Sequence, residues 1–157
     1  MLNFLVVVIL AIVSRTIPQT VFYLLGFLPL RQIAGGYHAK THFRCLLILI
    51  FSYTVFLLLL HFAKPVWMLP AIITGIVTSI VLVFIFAPAA DSNKPISKQE
   101  AIDFKRKSRI TIAVYGVIVG LLTVFIPNKV FAFSLVCGVF TVAVSLLASF
   151  IKYESRK

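Results

Sequence analysis

Long apolar runs broken by short polar punctuation set the pattern of this chain. Residues 45–63 and 66–87 each supply about 20 mostly apolar residues, enough for a helix to cross a hydrocarbon core of ~30 Å. Only Lys64 and Pro65 separate them, so the pattern predicts a helical hairpin. Pro70 and Gly75 are expected to bend its second helix, which is tolerable where neighbouring helices or polar side chains cover the freed backbone groups. Two further runs, 110–126 and 130–151, flank the tight turn Pro127-Asn128-Lys129. The first of these is short, which predicts an upright helix or one extending into the preceding polar stretch. That stretch, 88–109, is the longest polar segment of the chain. Within it Ser97-Lys98-Gln99-Glu100 reads as a capping box opening a short helix. Near the start, runs 2–14 and 21–30 are each too short to span comfortably, with Arg15, Pro18 and Gln19 between them. A short hairpin, one kinked helix and a re-entrant element all fit them. The expected fold is therefore an all-α polytopic membrane helical bundle, with four clear spans plus one or two N-terminal apolar segments.

Composition supports the bilayer as part of the solvent. The 157 residues are 61% hydrophobic, with a mean hydropathy of +1.10; a soluble domain of this length has no means of hiding so much apolar surface. Four acids (Asp91, Glu100, Asp103, Glu154) face fifteen Lys and Arg, a formal charge of +11. In a soluble protein that balance would raise nucleic acid as a partner. Here the cations sit in short loops between apolar runs, where topology and anionic headgroups account for them, so no nucleic acid is expected. Segments 31–44, 88–109 and 152–157 hold three, six and three basic residues, while the turns at 64–65 and 127–129 hold one each. These sets alternate as four crossings require, and the positive-inside rule places the three rich segments in the cytoplasm. Nothing basic precedes the first apolar run and no small-residue cleavage site follows it, so no removable signal peptide is read there.

Candidate chemistry is concentrated in Gly35-Gly36-Tyr37-His38-Ala39-Lys40-Thr41-His42-Phe43-Arg44-Cys45. Of the two cysteines, Cys137 lies inside an apolar run, where a small inert hydrophobe is the default. Cys45 stands in polar, basic company where a helix begins. A cysteine attacks as the thiolate, so its free pKa of about 8.5 must fall for reaction near neutrality. The positive end of the 45–63 helix, together with Arg31, Lys40 and Arg44, favours that, and a histidine can take the proton. His42, at i−3, reaches Cys45 within one helical turn. His38 in a continuous helix would lie ~10.5 Å away along the axis. Gly35-Gly36 nevertheless permits a sharp turn that returns His38 over the helix end. Both histidines remain candidates on local geometry. Two His and one Cys without a nearby carboxylate make a poor metal site, and no metal or cofactor is expected. His61 reads as interfacial filler.

The pattern Arg31-x-x-x-Gly35-Gly36-x-His38-Ala39, with Cys45 seven residues after His38, resembles the accessory gene regulator protein B (AgrB) family. A second block, Ala87-Pro88-Ala89-Ala90-Asp91-Ser92-Asn93-Lys94-Pro95-Ile96, is similar to that family's loop after its second clear span. With the span layout, the resemblance covers residues 21–151.

The resemblance implies a bacterial cell-membrane cysteine endopeptidase that processes a quorum-sensing propeptide. Carried over, Cys45 is the nucleophile and His38 its base, in preference to His42, which requires the segment not to be a straight helix. His42 and Asp91 become supporting candidates. The substrate implied is a short peptide with an amphipathic N-terminal part, a central signal sequence and an acidic C-terminal tail. Cleavage would leave a thioester on Cys45, which an internal Cys or Ser of the peptide attacks to form a thiolactone or lactone. Arg31, Gly35, Gly36, Asn93, Lys94 and Pro95 are the expected substrate-binding residues, and the basic 88–109 stretch suits the acidic tail. The other reading, from a different class, is a non-catalytic membrane carrier or export component for a small acidic peptide. The implied layout is one integral membrane peptidase domain over 1–157. It has N-terminal apolar segments 1–30, a cytoplasmic catalytic loop 31–44, a hairpin 45–87, a basic cytoplasmic loop 88–109, a hairpin 110–151 and a cytoplasmic tail 152–157. A homodimer is compatible with it. Family members usually carry a longer, amphipathic segment ahead of the first apolar run, whereas this sequence starts almost directly in that run.

Overall fold

A computed structural model describes residues 2–34, 42–88 and 98–154. They form six helices: α1 (Leu2–Val13), α2 (Ile17–Ala34), α3 (His42–Phe62), α4 (Pro65–Phe86), α5 (Lys98–Phe125) and α6 (Val130–Glu154). Three of these are long and apolar enough to cross a bilayer: α4, α5 from Gln99, and α6 to Ile151. This corrects the expectation of four clear spans plus N-terminal segments. The expected span 45–63 lies in α3, but that helix opens on His42-Phe43-Arg44, and its described apolar stretch Leu47–Phe62 falls short of about 20 residues.

The N-terminal third is two helices meeting at a turn, the hairpin among the three alternatives. The turn is a Schellman-type stop. The Thr16 N–H bonds to the Ala11 carbonyl at 3.0 Å and the Arg15 N–H to that of Ile12 at 3.1 Å, with Arg15 in the left-handed region at φ 55°. Helix α2 outruns the apolar run 21–30 at both ends. Pro18 is its second residue, where no intrahelical N–H is needed. Pro29 lies inside it, so the Leu25 carbonyl loses its partner four residues on; the Tyr115 hydroxyl donates to that carbonyl at 2.6 Å.

Helix α6 is the centre of the bundle. Over half of its apolar stretch is buried (56%), against 22% for α4 and for α5. Its main partner is α2, then α4. The α2–α6 crossing depends on two glycines: a Cβ on Gly138 would run into the Tyr23 carbonyl, and one on Gly26 into the Leu135 carbonyl. Small residues at such crossings let helix backbones touch, the main source of packing gain where lipid is as apolar as the side chains. The principal core joins Leu30, Ala34, Ile72, Val83, Ile112, Val139 and Leu146. A second cluster, Val7, Tyr23, Tyr53 and Phe56, docks α1 and α3. There the Tyr23 and Phe56 rings stack at 4.6 Å, and Thr20 and Tyr53 share a hydrogen bond of 2.6 Å.

Helices α3 and α4 follow one another across the Lys64 turn, but among the described residues they barely touch, and each packs on α6 instead. Helix α5 starts at Lys98, where the capping-box pattern opens a helix, and it is long where a short one was expected: it extends the 110–126 run back through the polar stretch and continues unbroken to Phe125. No Gly or Pro stands between Lys98 and Arg109, so the helix propagates through the charged residues into the apolar run.

Candidate functional site

The ends of α2, α4 and α6 converge with the middle of α5 on one face of the bundle. Leu30 and Ala34 of α2, Val83 and Ala87 near the end of α4, Ile112 of α5 and Leu146 of α6 belong to one continuous core. The Phe86 and Phe150 rings approach to 4.9 Å at the same level. Helix α3 leaves from this end, because only residues 35–41 separate His42 from Ala34. His42 and Cys45 thus lie in the first turn of α3, where the chain's partial positive helix charge is concentrated. The expected residues Gly35, Gly36, His38, Asp91, Asn93, Lys94 and Pro95 lie outside the described residues.

Two arginines tie this face together. Arg31, half-buried in the last turn of α2, donates from Nη1 to the Ser145 hydroxyl of α6 at 2.9 Å. Ser145 in turn donates to the Val142 carbonyl at 2.8 Å. Arg109 donates from Nη2 to the Phe84 carbonyl at 3.2 Å and stands over the Phe84 ring at 5.1 Å. That carbonyl would be served in a longer helix by residue 88, but Pro88 has no N–H. Arg109 therefore covers the end of α4 with a charged donor. Both contacts hold helix ends that flank the segments carrying the sequence candidates.

Charge on this face is presented by α5. Lys105, Arg106 and Lys107 are all exposed, as are Glu100 and Asp103, whereas Ser108 is buried and its hydroxyl returns to the Phe104 carbonyl at 2.7 Å. Three consecutive cations thus stand at the surface one to two turns outside the apolar part of the helix. Elsewhere, Cys137 is half-buried in α6 and unpaired. His61 is exposed in the last turn of α3, edge-on to Phe62 at 5.2 Å, at the opposite end of that helix from Cys45. Among the described residues no three His, Cys, Asp or Glu side chains group as metal ligands do.

Sequence reasoning overlooked the partners on α6. Tyr23 donates to Thr141 at 3.2 Å, and Arg31 to Ser145 one turn further on. Ser134, Gly138, Thr141 and Ser145 form a small and hydroxyl-bearing stripe at i, i+4, i+7 and i+11 of an otherwise apolar helix. That spacing was the available signal for the face α2 would occupy.

The family model described as accessory gene regulator B matches residues 1–151 of this chain. Among curated proteins, Protein FsrB of Enterococcus faecalis is similar: 28% identical over 130 residues, which cover 82% of this chain and 51% of that protein. The chain therefore spans about half the length of the curated relative it matches. No solved structure matches it.

Proposed function

This chain belongs to the accessory gene regulator B family of quorum-sensing accessory proteins, and on that premise we propose that it is a membrane cysteine endopeptidase. Its substrate is a small autoinducing-peptide precursor with an acidic C-terminal tail. The observation that carries the reading is the family match over residues 1–151, which takes in both the Arg31–Cys45 and the Ala87–Ile96 blocks.

In this reading the Cys45 thiolate attacks the carbonyl at the tail junction, with His38 as the base. The tetrahedral intermediate collapses to a thioester on Cys45, and His38 returns its proton to the departing amine of the tail. An internal thiol or hydroxyl of the peptide then attacks the thioester. Cys45 leaves as thiolate, and the product is a thiolactone or lactone. The position of Cys45 in the first turn of α3 supports this, since a helix N-terminus favours a thiolate. The Lys105–Lys107 triplet supports docking of the acidic tail on α5, and the charge distribution supports a cytoplasmic location for that face. Arg31 serves the site by holding the end of α2 to Ser145.

Co-expression with the candidate propeptide, read by the masses of the peptide products, tests the reading. The wild type should release a tail-less product, and Cys45→Ala should leave the full precursor in membranes. Processing that survives Cys45→Ala would overturn the assignment. A wild type that leaves the precursor whole would favour the non-catalytic carrier.

A further inference from the structure

Helices α3 and α4 diverge from the Lys64–Pro65 turn, and the wedge between them is floored by α6. It is an open groove with a volume of about 490 Å³. Leu59 and Phe62 of α3 form one wall, Phe133 and Val136 of α6 the floor. The α4 wall carries small side chains, Ala71, Thr74, Gly75 and Thr78, which is why the wedge stays open. Its interior makes no polar demand at Thr74, whose hydroxyl donates to the Pro70 carbonyl of its own helix at 2.8 Å. From Lys64 to Thr78 the groove runs about 21 Å along α4, somewhat over half of a ~30 Å hydrocarbon core. It thus reaches past the ~15 Å depth of one leaflet.

The wedge opens toward lipid along an almost wholly apolar lining, against which a hydrocarbon chain lies lengthwise. Charge narrows the occupant. The apex carries Lys64, exposed and positioned by the Trp67 N–H bond to its carbonyl at 3.0 Å, with the exposed Trp67 ring beside it at interface level. Among the described side chains the acids are Glu100 and Asp103, in the first turns of α5 at the other end of α4 from Lys64, so neither is within reach of this cation.

We infer that the α3–α4–α6 wedge is a binding site for one anionic phospholipid. An acyl chain lies along Ala71, Thr74, Gly75 and Thr78, and the phosphate rests on Lys64. The site is at the opposite end of the bundle from Cys45, and it is independent of the proposed peptidase activity. By joining two helices that hardly touch, a bound chain completes the packing that α3 otherwise lacks on that side.

Native mass spectrometry of the full chain, released from mixed micelles of phosphatidylglycerol and phosphatidylcholine, tests this. The wild type should retain one phosphatidylglycerol in preference to phosphatidylcholine. Lys64→Gln should reduce that preference by about fivefold, the effect of one interfacial cation, without emptying the groove. Thr74→Phe/Thr78→Phe, which changes only exposed wall positions, should abolish retention of both lipids while leaving circular dichroism unchanged. A wild type that emerges bare would overturn the inference. So would a headgroup preference untouched by Lys64→Gln, or a dimer that disappears in the double variant.

Discussion

The Tyr115 hydroxyl donates at 2.6 Å to the Leu25 carbonyl, the group that Pro29 deprives of its helical partner. A residue of α5 thus completes the hydrogen bonding of α2, and the proline becomes tolerable only through a contact 90 residues away in sequence. Tyr115→Phe should therefore cost about 1–3 kcal/mol, the penalty of an unpaired buried acceptor. In a Pro29→Ala background, residue 29 supplies its own N–H and the same change should cost under about 1 kcal/mol. Thermal unfolding of the four proteins of this cycle in detergent measures the difference.

The glycines of the α2–α6 crossing should respond differently from those facing lipid. Gly138→Ala and Gly26→Ala each place a Cβ against backbone that has no rotamer with which to yield, and each should lose about 1–3 kcal/mol. Gly120 on α5 has open space around it, so Gly120→Ala should be neutral or gain up to about 1 kcal/mol from helix propensity. Melting temperatures in one detergent would reveal the contrast.

Arg15 holds a left-handed conformation at φ 55° in an exposed turn, where glycine is the usual residue. Arg15→Gly should stabilise the chain by about 1 kcal/mol, and Arg15→Val should destabilise it by at least as much. Guanidinium-free thermal scans of the two variants beside wild type decide it.

The proposed base is open to direct comparison. His38→Ala should slow propeptide processing by about 10²–10⁴-fold, the usual contribution of a general base, and His42→Ala should leave most of the rate. The reverse order would transfer the role to His42, three residues from Cys45 in the first turn of α3.

Orientation follows from the same charge distribution. In a variant lacking Cys45 and Cys137, a thiol introduced at Lys64 should react with an impermeant maleimide on intact cells, and one at Lys105 only after permeabilisation. Both positions are exposed, so access to the reagent is set by the side of the membrane. Labelling of Lys105→Cys on intact cells would invert the proposed topology.

Much of the scaffold was legible in the chain itself. Apolar length marks α4 and α6, and the absence of helix breakers after Lys98 lets α5 continue through its charges into the membrane. The alternation of basic segments is equally a property of sequence. These features depend on neighbours within a few residues, or on each run's own free energy of transfer to lipid. What only the tertiary structure decided is which helices meet. The shared stripe of α6 chose α2 as its main partner through Gly26 and Gly138, assigned Arg31 to Ser145, and drew α3 away from the helix that follows it. Hydropathy carries no such information, because every apolar face is equally content in lipid. Steric fit between distant backbones and the pairing of a few buried polar groups make the choice, and those terms exist only once the helices have come together.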